Sequence, residues 1–95
     1  MGKVKIAASV RKDELGRLSL FYYDEHNKLV CYTRHEGHSY ACVLYMHSLQ
    51  LASDDEAKAM VGHYNKIDAD ECGVEFYPVK RLHSNNRHRW ELVSA

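Results

Sequence analysis

The chain opens on a strict alternation of apolar and polar side chains. Over residues 3–11, Val4, Ile6, Ala8 and Val10 fall on one side of an extended segment, and Lys3, Lys5, Ser9 and Arg11 on the other. A period of two predicts a half-buried β-strand. Residues 17–23 repeat the pattern with Leu18, Leu20 and Tyr22, and the intervening "KDELG" ends in Gly16, which tolerates the positive φ of a tight turn. Pairing Lys12 with Gly16 sets Val10 opposite Leu18, Ala8 opposite Leu20 and Ile6 opposite Tyr22, so the apolar faces coincide. Asp24 and Asn27 predict a second turn, and "LVCYTR", residues 29–34, the third strand of an antiparallel meander.

The period changes at residue 53. Ser53 and Glu56 form the spacing of a capping box, and Asp54, Asp55 and Glu56 place negative charge where a helix dipole favours it. Ala57, Met60, Val61, Tyr64 and Ile67 then make one stripe at helical spacing, with Lys58, Gly62, His63, Asn65 and Lys66 opposite. The stripe reads as core, not as a binding surface. Residues 74–82 predict a further strand, placed at an edge or broken by Pro78, which lacks a ladder donor. Asn85-Asn86 suits a turn, after which residues 88–93 return with Val79 facing Leu92, Lys80 facing Glu91 and Arg81 facing Trp90.

Residues 31–42, "CYTRHEGHSYAC", admit two readings. A hairpin turning at Glu36-Gly37 sets Cys31 opposite Cys42, Thr33 opposite Tyr40 and His35 opposite His38. A helix over 39–49, capped by Ser39, instead buries Ala41, Leu44, Tyr45 and Leu49. A short apolar run does not decide between them. In either case the expected fold is one α+β domain over residues 1–95: an antiparallel sheet, made of an N-terminal three-stranded meander plus C-terminal strands, packed on one face by one or two helices.

Composition narrows the function classes. Thirteen basic and thirteen acidic residues give zero formal charge, which argues against a polyanion-binding surface over the whole chain. The charged fraction of 27% and hydrophobic fraction of 45% are those of a soluble globular domain. No apolar run is long enough to span a bilayer, and the N-terminus does not read as a signal peptide. Three cysteines, an odd number, suit a reducing compartment, so a cytoplasmic location is expected.

Four kinds of chemistry remain to be weighed. Cys31, His35, His38 and Cys42 are metal-ligand types, yet on a regular hairpin Cys31 and His35 stand roughly 13 Å apart, too far for one tetrahedral zinc. Only the helical reading lets the four converge, and their spacing is not a familiar zinc-finger spacing. Seven histidines offer acid–base groups, but His26, His63, His83 and His88 fall at turns or on the polar helix face, and no catalytic motif accompanies them. Neither an enzyme nor a cofactor is expected. The C-terminal "KRLHSNNRHRW" is basic with an aromatic, so Lys80, Arg81, Arg87, Arg89 and Trp90 are candidates for nucleic-acid contact. Seven tyrosines against two phenylalanines point instead to a contact surface, since tyrosine joins an apolar ring to a wet hydroxyl. Phe21, Tyr23, Leu29 and Cys31 share the meander face opposite Leu18, Leu20 and Tyr22. If one helical layer covers a single face, the other is left for a partner. The expected function is therefore a small non-catalytic interaction or regulatory accessory protein that binds a protein partner or a second copy of itself. Phe21, Tyr23, Tyr32 and Tyr40 are its candidate contact residues, with nucleic-acid binding and a structural zinc as alternatives.

Overall fold

Val4–Lys12 forms β1, the longest strand among the described residues, flanked by other strands on both sides. The computed structural model describes residues 4–69 and 73–83. β2 (Leu18–Tyr23) and β3 (Leu29–Thr33) follow as the antiparallel meander that the alternation predicts, and β4 (Gly37–Tyr40) extends it. A short helix α1 (Val43–Ser48) leads to β5 (Gln50–Leu51), then helix α2 (Asp54–Tyr64), a π-helical turn over Asn65–Ala69, and β6 (Val74–Pro78). The strands of the described residues form one six-stranded sheet in the order β4-β3-β2-β1-β5, with β6 pairing the other half of β1.

The first hairpin keeps its predicted faces but not its predicted register. Val10 pairs with Leu20 and Lys12 with Leu18, two residues away from the pairing that Gly16 alone suggests. The cause is the turn. Asp13 N–H donates to the Arg17 carbonyl, and the Asp13 carboxylate accepts from the backbone N–H groups of Leu15 and Arg17, with Gly16 at φ +80°. The closing pair is thus Asp13 and Arg17. A shift of two leaves every side chain on its own face, so the apolar pattern is blind to it. The turn at Asp24 is organised in the same way, its carboxylate accepting from His26 and Lys28 N–H, with Asn27 at φ +62°.

The sheet is mixed, not antiparallel throughout. β5 and β6 lie in tandem along one side of β1, β5 antiparallel to its end at Arg11 and Lys12, and β6 parallel to Val4–Ala8. α2 explains the reversal. It starts beside Lys12, whose ammonium meets Glu56 at 3.2 Å, and ends beside Phe76. A helix that runs back along the sheet delivers the next strand parallel to β1. The capping box is formed as expected, Ser53 Oγ accepting from Glu56 N–H and Glu56 from Ser53 N–H.

Both faces of the sheet are covered. α2 lays Met60, Val61 and Tyr64 on Ile6, Val10, Leu20 and Phe76. Ile67, the last position of the predicted stripe, lies in the π-helical turn and is half exposed. On the opposite face, α1 and the segment after β6 put Met46 and Leu82 against Ala7, Phe21, Tyr23, Leu29 and Cys31. The expectation of a half-buried β1 is therefore corrected: Ser9 and Arg11 are buried as well. Arg11, only 8% exposed, donates from Nε to Ser9 Oγ and from Nη1 to the Leu49 carbonyl. Each large apolar side chain enclosed in this way contributes about 1.5–3 kcal/mol. The predicted C-terminal hairpin partner, residues 88–93, lies outside the described residues.

Candidate functional site

Of the four aromatic residues expected to form a contact surface, three are interior. Phe21 and Tyr23 lie beneath α1 and Leu82, and Tyr32 lies beneath α2. The reason is the second covering layer: residues 43–48 do form a helix, and it closes the face that a single helix would have left bare. Tyr40 alone of the four is at the surface, 71% exposed, with the Lys28 ammonium 5.6 Å from its ring centre.

Around Tyr32 the rings form an ordered pile. Tyr64 stacks between Tyr32, 4.4 Å away and nearly parallel, and Phe76, 4.7 Å away. Tyr22 meets Phe76 edge to face. The hydroxyls of Tyr22 and Tyr64 are 3.4 Å apart, and His38 caps the pile from β4, with Nε2 3.3 Å from the Tyr64 hydroxyl. Stacking contributes beyond area burial, about 0.5–1.5 kcal/mol per pair. These tyrosines thus keep their polar tips satisfied within the fold, and their abundance is partly an internal matter.

Residues 31–42 combine the two sequence readings. Cys31 pairs with Ser39 and Tyr32 with His38, so a hairpin exists, but it turns at residues 34–36 and ends at Tyr40, after which the chain becomes helical. The predicted cross-strand pairs Cys31–Cys42 and His35–His38 do not form. Cys31 is buried under α1, its thiol pushed up by burial against a smaller opposing effect of its hydrogen bond with Ser19. His38 projects from the other face, His35 sits in the turn, and Cys42 is exposed as the N-cap of α1. Opposite faces keep the four apart, and among the described residues no group of three or more His, Cys, Asp or Glu side chains is placed to hold a metal ion.

An open cleft of about 360 Å³ lies where the first and third turns approach each other. It is lined by Asp13, Arg17, Thr33, Arg34, His35 and Glu36, with Tyr45 at one side. Its charges are already engaged in part. Arg17 Nε meets Asp13 at 2.7 Å, and the backbone and side-chain hydrogen bonds from Arg17 hold the Asp13 carboxyl below its ordinary range. Thr33 Oγ1 accepts from Glu36 N–H. Of the candidate nucleic-acid contacts, Lys80 and Arg81 are exposed just beyond β6, and Arg87, Arg89 and Trp90 lie outside the described residues.

Leu15, Leu51 and Ile67 are exposed singly, whereas one continuous segment of the described residues exposes several apolar side chains together. Tyr40, Val43, Leu44 and Tyr45 are exposed, Leu44 at 81%. Helix geometry accounts for this: α1 spends Met46 on the core, rests the half-exposed Tyr45 ring edge-on against Phe21, and leaves Val43 and Leu44 outward. The same stretch carries a signal that periodicity does not read. From Gly37 to Ser53 no side chain has a formal charge, although thirteen basic and thirteen acidic residues are distributed over the 95-residue chain. No family model, curated protein or solved structure matches this chain. Among the described residues no helix is long and apolar enough to cross a membrane.

Proposed function

We propose that this protein is a small non-catalytic interaction module whose contact surface is the sheet margin built by the uncharged segment from β4 through α1, with Tyr40 on the α2 side of that margin and Val43, Leu44 and Tyr45 on the α1 side. The observation that carries the reading is the coincidence of charge depletion with exposed apolar and aromatic side chains over Gly37–Tyr45. Depletion of charge with enrichment of aromatics is the compositional signature of an interface core, whereas general hydrophobicity is not. An ordinary solvated surface keeps charges dispersed over it, as the rest of this chain does. The reading moves the expected contact from the sheet face, which the fold fills, to the margin beside it.

The test compares the native chain with a Tyr40→Asp, Leu44→Asp variant. Both positions are largely exposed, so the variant should keep its circular dichroism and thermal midpoint. The native chain should run in light scattering as a defined oligomer, or co-purify with a stoichiometric protein partner, and the variant should do neither. A native chain that is strictly monomeric and retains no such partner overturns the reading.

A further inference from the structure

The two long margins of the sheet are finished differently. On β6 the ladder to β1 uses odd-numbered residues, since Val4 N–H donates to Gly73 and Val79 N–H donates to Ala8. Val74, Phe76 and Pro78 therefore turn their backbone groups outward. The Asn65 side-chain amide occupies both groups of Phe76, and Pro78 has no N–H to offer. β5 is only two residues long. These are recognised ways of blunting an edge.

β4 has no such device. Ala41 N–H donates to the Leu29 carbonyl, which fixes the phase of the β3–β4 ladder. Gly37 and Ser39 lie on the bonded side, and the N–H and C=O of His38 and Tyr40 point away from the sheet. Nothing among the described residues bonds them. The strand carries no formal charge, no proline and no lysine, the residues that normally protect an edge.

Resting on the interaction reading above, we infer that β4 pairs antiparallel with β4 of a second copy of this chain, about a two-fold axis at Ser39. The pattern of outward groups is self-complementary. Rotation about Ser39 sets His38 opposite the partner's Tyr40 and Tyr40 opposite the partner's His38, so every outward donor on each strand meets an acceptor on the other. The central pair, Ser39 with the partner's Ser39, falls at a non-hydrogen-bonded position where strands approach to about 4.5 Å, and a small side chain fits there. On the face of α2, each Tyr40 ring comes beside the partner's His38 and lengthens the row that begins with Tyr64 and Tyr32. Between Gly37 and Ala41 no like charges meet.

The ladder is short and its flanking contacts few, which places it at the small end of specific interfaces, under ~1,200 Å². Sedimentation velocity on the full chain should show a dimer that dissociates on dilution through the micromolar range. Ser39→Lys and Ser39→Glu each set like charges against each other at the axis and should raise the dissociation constant about tenfold or more. An equimolar mixture of the two should restore dimer, as the heterodimer, which a folding defect would not permit. A native chain that stays monomeric through that range overturns the inference, as does a dimer indifferent to both variants or a mixture that fails to recover it. A native chain that is monomeric yet retains a stoichiometric partner lost on Leu44→Asp removes the β4 pairing and leaves the interaction reading standing.

Discussion

Asn65 binds both backbone groups of Phe76: its Oδ1 accepts from the Phe76 N–H at 2.8 Å, and its Nδ2 donates to the Phe76 carbonyl at 3.0 Å. A side-chain amide here takes the place of a neighbouring strand. Phe76 is buried, so neither group has an easy substitute in water. Asn65→Ala should therefore lower the free energy of unfolding by about 2 kcal/mol, the cost of stranded buried polar groups, read from urea denaturation with an unchanged slope. A loss under ~0.5 kcal/mol would mean that the bonds contribute nothing net.

The cap of α2 gives a pH-dependent prediction. Hydrogen bonding to Ser53 N–H, with a further contribution from Lys12, holds the Glu56 carboxyl below its ordinary value. A depressed carboxyl stabilises the fold fully above its unfolded pKa of about 4.3, and the contribution is lost as pH falls through the lower folded value. Glu56→Gln should consequently flatten the acid limb of a stability-against-pH curve while leaving its slope between pH ~6 and ~8 unchanged. Ser53→Ala should cost about 1 kcal/mol at neutral pH.

Tyr64 separates ring from hydroxyl. Tyr64→Phe preserves the stacking on Tyr32 and Phe76 and removes only the polar tip near Tyr22 and His38, so a loss of about 1 kcal/mol is expected. Tyr64→Ala removes the centre of the pile and should cost about 3–5 kcal/mol, a large part of the stability of a domain this small. Equal effects of the two variants in thermal melts would show that the hydroxyl, not the stack, matters.

Neighbouring residues of α1 should behave in opposite ways. Met46 is fully buried, and Met46→Ala should cost about 2–5 kcal/mol. Leu44→Asp, two positions away, should change stability by under ~0.5 kcal/mol and act on association alone.

The two cysteines of this region should differ in reactivity. Cys42 is exposed, whereas Cys31 is buried with its thiol pushed up by desolvation. A maleimide probe followed by peptide mapping should label Cys42 at once and Cys31 only at the rate of local opening. Comparable labelling of both would show that α1 does not hold its place over Phe21.

Much of this architecture is legible in the residues. Alternation from Val4 to Val10 assigns faces correctly, and Ser53 with Glu56 marks the start of α2 to the residue. The register of the first hairpin is not legible, because a slip of two preserves the faces and is decided by hydrogen bonds from the Asp13 carboxylate. The parallel placement of β6 depends on where α2 ends, which no local pattern contains. The covering of Phe21 and Tyr23 depends on residues 43–48 being helical, in a stretch where tyrosine and valine favour strand. Burial of Ser9 and Arg11 contradicts their polarity and is compensated by hydrogen bonds that appear only once Leu49 is in place. The candidate surface was open to view by another route, since the uncharged run from Gly37 to Ser53 needs a count of charge, not of period.

The amide clasp of Asn65 on Phe76 has a consequence for how far assembly can proceed. A protein able to join through both sides polymerises, each addition creating the site for the next. Here one side is already spoken for, by a side chain of the same molecule and by the chain's single proline. On the proposed β4 pairing, growth through strands would stop at a pair, and a small aromatic protein would stay clear of the fibres that an unguarded sheet invites.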